Sequence, residues 1–526
     1  MIVASKRMVA VLLAAGISIA ACATDGPDVR TGAVSQHTSV DTSPSVSNAE
    51  PTTTTSTTSS TTTSPRTSTT GGPSDPTATS TTGSAAPPAG QSGVGDNLFP
   101  DLGNPGLDVT HYDIDLAYDP ASALLTGTVR LSITATTKLE HFTLDSVELG
   151  VTDVTVNGAA ATFTVADPEL WITPRTPLAQ GDKFETVVAY SVRPAPSASL
   201  VGISNGWFPT ATGSYTIDEP DGTRTWMPSN DHPSDKASYH FTILVPAGLT
   251  AVANGTLETH STTAAGDVWV WDQPAPMATY LLQVITGPYD LVGGVGPNGL
   301  TLSSAVLTTD RALMQPFVDV TADQIDFFDN YFGHYPFRSY GIAVTDSRGG
   351  LAMEQQTRSL FSRSDFLSGD LSYTEQLLLS HELAHQWFGD AVSPARWQDI
   401  WLAESFATYA QWMWLEHVGL DSVTEEASRN LRGRQNGDAS TATPSVSNLF
   451  GFEVYEGGAV VLHALRLTVG DDLFFSILQR WVTDYAGTSR TTEDFTALAG
   501  KVSGRDLTPF FRDWLYAADL PLSLPG

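Results

Sequence analysis

The sequence predicts an α+β protein of several domains, in which an N-terminal antiparallel β domain precedes a mainly helical domain. Between Asp108 and about Asp290, apolar and polar residues alternate in short segments that Gly, Pro, Asn and Asp separate, a pattern typical of antiparallel strands. Past Leu300, apolar residues recur three and four positions apart, which is typical of amphipathic helices. The chain of 526 residues is long enough for roughly two to four domains.

Residues 1–22 have the pattern of a secretory signal. A basic start is followed by the apolar run Val9 to Ala21, which is too short to span a bilayer. The run ends in Ile19-Ala20-Ala21-Cys22, which resembles a bacterial lipobox. We therefore expect lipidation of Cys22, insertion of the acyl chains into the lipid bilayer, and an extracytoplasmic protein anchored to the cell membrane. The alternative is a plain signal peptide and a secreted protein, but Cys22 is the only cysteine and forms no intramolecular disulfide.

Residues 23–97 are predicted to be a disordered tether. From about Gly32 to Gly93 the chain consists mostly of Ser, Thr, Pro and Gly, and this composition cannot bury a core. A spacer of this kind would lift the folded part of the protein off the membrane.

The folded part is predicted to comprise a β domain over 98–297 and a helical domain over 298–526. The whole chain has 26 Lys and Arg against 57 Asp and Glu, a formal net charge of -31. This charge disfavours nucleic acid and anionic membrane surfaces as partners. A monomer is assumed.

The segment His381-Glu382-Leu383-Ala384-His385 is a candidate metal site. On a helix the two histidines are one turn apart on the same face, so both imidazoles can bind one metal ion. The apolar spacing predicts such a helix from Thr374, which can cap it, to Phe388, with Gly389 ending it.

A catalytic zinc site needs a third protein ligand and one open position. Glu404 lies on the next predicted helix, Trp401 to Val418, and a helical hairpin would bring its carboxylate to the histidines. The sequence therefore predicts one Zn²⁺ per chain. Zinc held by two imidazoles and one carboxylate keeps positive charge, polarises a carbonyl and lowers the pKa of water. Glu382, beside the metal, would act as general base in peptide hydrolysis.

These motifs resemble the M1 family of zinc metallopeptidases, whose members are gluzincins similar to aminopeptidase N and leukotriene A4 hydrolase. The resemblance runs from Asp108 to the C-terminus and includes the eighteen residues between His385 and Glu404. It implies a β saddle or sandwich followed by a thermolysin-like catalytic domain. It also implies aminopeptidase activity on peptides with a free N-terminus.

The segment Leu351-Ala352-Met353-Glu354-Gln355 resembles the family's Gly-x-Met-Glu-Asn exopeptidase signature. The resemblance implies that Glu354 holds the free α-amine of the substrate. Leu351 and Gln355 depart from the signature, which moves the expected main-chain contacts to neighbouring positions. The implied substrate-binding residues of this segment are Gly350, Ala352, Met353 and Glu354.

Two further segments resemble family motifs. Tyr455-Glu456-Gly457-Gly458 is similar to Tyr-Glu-Lys-Gly, which implies that the Tyr455 hydroxyl donates to the oxyanion of the tetrahedral intermediate. Glu219-Pro220-Asp221-Gly222 is similar to the signature of the family's N-terminal domain. Glu219 either faces the amine pocket with Glu354 or is a turn residue.

Two other functions are compatible with the sequence. The chain ends soon after Phe510 to Leu515 and so resembles a short form without the family's C-terminal helical domain. An open cleft of this kind would suit an endopeptidase that accepts blocked N-termini. A surface-binding lipoprotein that has lost catalysis is the other alternative, although the intact Glu382 argues against it.

Overall fold

The computed structural model describes residues 93–347, 349–434 and 439–526. The signal, Cys22 and all but the end of the predicted tether lie outside these residues and stay predictions. The tether was predicted to reach residue 97, but residues 93–97 belong to the folded part. Asp96 is buried, and its carboxylate accepts hydrogen bonds from the backbone N–H of Leu98 at 2.7 Å and of Trp397 at 2.8 Å.

The alternating segments form the strands of the β domain. Their bounds, in chain order, are β1 (Leu107–Asp119), β2 (Leu124–Ala135), β3 (Phe142–Asp145), β4 (Gly150–Val156), β5 (Ala159–Ala160), β6 (Thr162–Ala166), β7 (Glu169–Thr173), β8 (Lys183–Val192), β9 (Ser197–Ala198), β10 (Ser204–Pro209), β11 (Ser214–Ile217), β12 (Ala237–Val245), β13 (Thr250–Ala253), β14 (Thr256–Thr263), β15 (Gly266–Met277) and β16 (Val284–Gly287).

Three sheets contain these strands. Their strand orders are β14-β15-β12-β1-β2-β8-β4-β5, β13-β16-β11-β10-β9 and β3-β7-β6. In β1, Tyr112, Ile114 and Leu116 are buried while Asp113 and Asp115 point away from the core, as the period of two requires. The predicted β domain is confirmed, with one exception to the antiparallel pattern, because β1 and β12 run parallel.

The remaining elements form the catalytic domain. Its strands are β17 (Tyr289–Val295), β18 (Thr301–Leu307), β19 (Ser339–Tyr340), β20 (Ile342–Thr345), β21 (Ala352–Met353), β22 (Ser359–Ser362), β23 (Val392–Pro394) and β24 (Thr488–Arg490). Its helices are α1 (Arg311–Phe332), α2 (Tyr373–Ala384), α3 (Trp401–His417), α4 (Val423–Arg434), α5 (Glu456–Val469), α6 (Asp471–Tyr485), α7 (Thr492–Ser503) and α8 (Thr508–Trp514).

The sequence did not predict the mixed sheet of this domain. Its order is β17-β18-β20-β22-β21, with β18, β20 and β22 parallel and β21 at the edge. Strands β20 and β22 are buried at every position, so they lack the alternation that reveals a strand. The predicted domain boundary after residue 297 falls in the turn between β17 and β18, and the catalytic sheet therefore begins before it.

Helix α2 differs in both ends from the predicted helix. It begins at Tyr373 because Ser372 caps it, with the Ser372 N–H donating to the Glu375 carboxylate at 3.1 Å; Thr374 is not the cap. It ends at Ala384, and His385 is the C-cap residue. Helix α3, against which α2 packs, is buried from Trp401 to Leu415 and forms the centre of the domain. Within the described ranges, no helix combines the length and apolarity needed to cross a bilayer.

Candidate metal centre

The structure brings His381, His385 and Glu404 together, as the sequence predicted. The histidines lie at the end of α2, and Glu404 lies in the first turn of α3. Glu404 Oε2 is 3.4 Å from Nε2 of each histidine. All three side chains are buried. Two imidazole nitrogens and a carboxylate oxygen thus converge on one point, which is the arrangement that a catalytic zinc site requires.

The other nitrogen of each imidazole is held by a hydrogen-bond acceptor. His385 Nδ1 lies 3.1 Å from the Phe388 carbonyl oxygen, and His381 Nδ1 lies 2.8 Å from Gln411 Oε1. A carbonyl oxygen only accepts, so Nδ1 carries the hydrogen and Nε2 presents its lone pair to the centre. Metal-ligating histidines are oriented in this way.

Electrostatics also favour a cation at this point. Burial alone would raise the pKa of Glu404, but its electrostatic interaction with His385 and its contacts with both imidazoles outweigh burial and lower the pKa to about 2. Among the described residues, no hydrogen-bond donor reaches Glu404 Oε2. An ionised, buried oxygen without a donor is expensive unless a cation binds it. The donor set therefore fits zinc.

Three more carboxylates lie beside the metal ligands. They form two groups in which one ligand atom of each residue lies within 4.8 Å of the others. The first group is Glu354, Glu382 and His385, and the second is Glu219, Glu354 and Glu404. The sequence had left two roles for Glu219, a residue of the pocket or a turn residue, and the structure places it beside the metal ligands. All three carboxylates are buried.

Burial is the main cause that raises the pKa of each of these carboxyls. The pKa of Glu219 and that of Glu382 lie well above the usual range, and the pKa of Glu354 is also raised. Nearby carboxylates add to the shift, as Glu354 does for Glu219. One oxygen each of Glu219 and Glu354 lacks a hydrogen-bond donor among the described residues. Without a cation the pocket therefore favours protonated carboxyls, and a cation that enters it would favour their ionised form.

Tyr455 precedes α5 and lies over one metal ligand. Its ring stacks on His381 with the centroids 6.0 Å apart. Burial and the charge of Glu404 raise the pKa of its hydroxyl well above the usual value, so the hydroxyl stays protonated and can donate. Ser405 Oγ donates to the Val454 carbonyl at 2.5 Å, which fixes Tyr455 relative to α3.

Glycine permits this close packing of α5 on α3. A Cβ on Gly458 would lie 1.8 Å from Ser405 Oγ, which is far inside van der Waals contact. The glycine that the sequence places three positions after Tyr455 therefore allows the tyrosine to approach the metal ligands.

The segment before Glu354 is an edge strand. Ala352 and Met353 pair with β22 on one side, and on its other side β21, the last strand of the sheet, has no neighbouring strand within the described ranges. The Gly350 N–H donates to Asp365 Oδ2 at 2.7 Å, so only the carbonyl oxygen of Gly350 is left for the predicted main-chain contact with a substrate. Gln355, which stands where the family signature has asparagine, donates through Nε2 to the Thr216 carbonyl at 2.7 Å. This hydrogen bond joins the catalytic domain to the β domain.

Sequence reasoning missed several residues around the centre. Gln411 lies seven positions after Glu404 and hence on the same face of α3, a signal that the sequence did contain. Lys236 of the β domain is half-buried, and its Nζ donates to the carbonyl oxygen of Asp390 at 2.6 Å. This contact ties the β domain to the turn that follows His385, and only the tertiary structure reveals it.

A buried set of two histidines and a glutamate, with a free carboxylate and a phenol beside it, defines a metallohydrolase site. The Peptidase M1 N-terminal domain matches residues 109–281, and the Peptidase family M1 domain matches residues 317–514. The chain belongs to peptidase family M1. The family implies a zinc cofactor, which agrees with the donor set.

Solved structures of the family are similar to this chain along their entire length. The M1 zinc metallopeptidase from Deinococcus radiodurans has a TM-score of 0.73 and 31% identity, covering 83% of this chain and 100% of its own. A mutant two-domain M1 zinc metallopeptidase bound to L-arginine has a TM-score of 0.75, 31% identity and the same coverage. These similarities confirm the predicted fold class.

The similar curated proteins are longer. Probable aminopeptidase 2 of Sulfurisphaera tokodaii is 25% identical over 79% of this chain and 54% of its own length. Leucyl aminopeptidase of Saccharolobus solfataricus is 23% identical over 73% of this chain and 50% of its own length. The chain thus spans about half the length of these relatives.

Proposed function

We propose that this protein is a zinc aminopeptidase that removes N-terminal residues from peptides. The observation that carries this proposal is the pair Glu219 and Glu354, which lies buried beside the metal ligands with one oxygen of each carboxylate lacking a donor in the described part of the chain. A substrate ammonium brings a positive charge, which pairs with the carboxylates, and N–H donors, which bond to their free oxygens.

The position of this pair determines which bond is cut. A ligand oxygen of Glu354 lies within 4.8 Å of the corresponding atoms of Glu382 and His385. An amine held there leaves room for one residue before the metal. The first peptide bond of the substrate therefore reaches the reacting groups, and an internal bond does not.

Bound zinc would polarise the scissile carbonyl and lower the pKa of the attacking water. Glu382 takes a proton from that water and delivers it to the departing amine. No covalent intermediate with the protein is needed.

Two other parts of the site orient the substrate. The Tyr455 hydroxyl donates to the oxyanion that develops on the carbonyl oxygen. The open side of β21, at Ala352 and Met353, can pair with the extended backbone of the peptide, as exposed sheet edges do. The substrate then enters with its amine at Glu354 and its carbonyl between Glu382 and Tyr455.

Replacing the amine anchor tests this proposal. We expect Glu354→Gln to lower kcat/KM for an aminoacyl substrate with a free amine by about 30-fold or more, because a buried charge loses its partner. The rate on the N-acetylated counterpart should change little. Parallel steady-state kinetics on the two substrates measures the difference.

Glu169→Gln is the matched control, since Glu169 is also buried but lies in β7 of the β domain. This variant should leave both rates near those of the wild type. Equal losses on both substrates in Glu354→Gln would contradict the role of Glu354 as the amine anchor.

We also propose that the protein is extracytoplasmic and tethered to the cell membrane through acylated Cys22. The lipobox-like sequence at residues 19–22 supports this location. In bacterial cells, the wild type should fractionate with membranes and incorporate labelled fatty acid, and Cys22→Ser should do neither. A wild type that carries no label would contradict acylation.

A further inference from the structure

Gln386 links the metal centre to the loop that carries Glu354. It directly follows His385 in the chain, and its side chain is completely buried. Neither zinc binding nor the proposed chemistry uses it. Its amide points away from the zinc ligands, to the loop after β21 in which Glu354 lies.

Both ends of the Gln386 amide contact this loop. Nε2 donates to the Glu354 carbonyl oxygen at 3.0 Å, and Oε1 accepts from the Thr357 N–H at 2.8 Å. The Tyr335 hydroxyl lies 3.1 Å from the same Oε1. The orientation of the amide is unambiguous, because a backbone carbonyl only accepts and a backbone N–H only donates. One side chain thus closes the loop from Glu354 to Thr357.

The loop needs such support because its backbone is strained. Thr357 has φ of 71°, a left-handed conformation that β-branched residues rarely adopt. It is also buried. Conformations of this kind persist only where the surroundings hold them. Two hydrogen bonds stabilise Thr357 in this conformation. Its N–H donates to Gln386 Oε1, and its Oγ1 accepts from the Gly255 N–H at 2.7 Å.

We propose that Gln386 is a positioning residue that sets the distance between the Glu354 carboxylate and the metal ligands. In this role it determines that the first peptide bond of the substrate lies at the metal. The inference rests on the proposed aminopeptidase function and deepens it. A displacement of about 1 Å at a reacting centre can cost on the order of 100-fold in rate, so a short and rigid link between anchor and metal has a large effect.

Two substitutions separate the contacts. Gln386→Glu keeps the shape and the acceptor for Thr357, but it replaces the donor to the Glu354 carbonyl by an oxygen. Gln386→Met removes all the hydrogen bonds at similar volume. Gln376→Met is the matched control, since Gln376 is a buried glutamine on α2, the helix that ends just before Gln386, and accepts a hydrogen bond from Trp414 Nε1 at 2.8 Å.

We expect both Gln386 variants to keep one zinc per chain and to lose at least about tenfold in kcat/KM on free-amine substrates. Affinity for a free amino acid, measured by calorimetry, should fall by a similar factor. Rates on N-acetylated substrates should stay within about twofold, as should all rates of Gln376→Met. Equal losses on free and blocked substrates would show that Gln386 is only structural and would overturn the proposal.

A double-mutant cycle with Glu354→Gln gives the sharper result. If Gln386 acts through Glu354, adding Gln386→Glu to Glu354→Gln should change kcat/KM by less than about twofold. Additive losses would overturn the proposal. The wild type separates this failure from failure of the proposed function: a wild type without preference for free amines refutes the function itself. A wild type with the preference, together with Gln386 variants that retain it, refutes only the inference.

Discussion

Glu382→Gln is expected to lower kcat by about 10²–10⁴-fold while zinc stays bound. Glu382 is buried beside His385, but it is not one of the three residues that converge on the metal. The amide that replaces it has similar size and cannot accept a proton. The variant therefore loses proton transfer to the departing amine without losing the metal ligands.

Zinc content by elemental analysis and steady-state kinetics together check this expectation. Glu375→Gln is a suitable control because it makes the same chemical change in the first turn of α2, where glutamine also completes a capping box. Loss of zinc from Glu382→Gln would indicate that Glu382 is a ligand. Unchanged turnover would exclude it as the general base.

Tyr455→Phe is expected to lower kcat by about 10²–10³-fold with a much smaller change in KM. The hydroxyl acts on charge that develops only in the transition state, so its loss should spare substrate binding. The ring stacks on His381, and phenylalanine preserves that packing. Zinc content should therefore remain at one per chain.

Separate measurement of kcat and KM, with zinc content, tests this role. Tyr409→Phe is a matched control, because Tyr409 is a buried tyrosine of α3 whose hydroxyl contacts His463 at 3.2 Å. It should leave kcat nearly unchanged. A rise in KM alone for Tyr455→Phe would place the hydroxyl in substrate binding and not at the oxyanion.

The metal ligands could be predicted from the sequence because local geometry determines them. His381 and His385 are one helical turn apart, and a short hairpin brings Glu404 to them. The proton positions on the two imidazoles depend on Gln411 and on the Phe388 carbonyl. Gln411 lies on α3, and Phe388 lies in the turn after α2. Most of this centre is therefore local in sequence.

The amine pocket could not be derived from local geometry. Glu219 comes from the β domain and meets Glu354 and Glu404 only after the two domains pack together. The mixed catalytic sheet was missed for a related reason, since β20 and β22 are buried on both faces. Their neighbours in space, and not their own pattern, make them strands.

The site as a whole is organised around a charge imbalance. Glu219, Glu354, Glu382 and Glu404 lie together in a buried pocket, and such a set either takes up protons or binds cations. In the proposed function, zinc supplies one cation and the ammonium of the substrate supplies the other. A peptide with a blocked amine brings only the carbonyl and leaves the carboxylate pair unsatisfied. This is the physical reason for expecting exopeptidase activity.

The most direct measurement is product mapping by mass spectrometry with the zinc-loaded wild type. One peptide of about ten residues would be offered with a free N-terminus and, separately, with an N-acetyl group. The proposed function predicts stepwise loss of N-terminal residues from the free peptide and a far slower reaction of the acetylated peptide. Internal fragments from both peptides at similar rates would contradict it and would identify an endopeptidase.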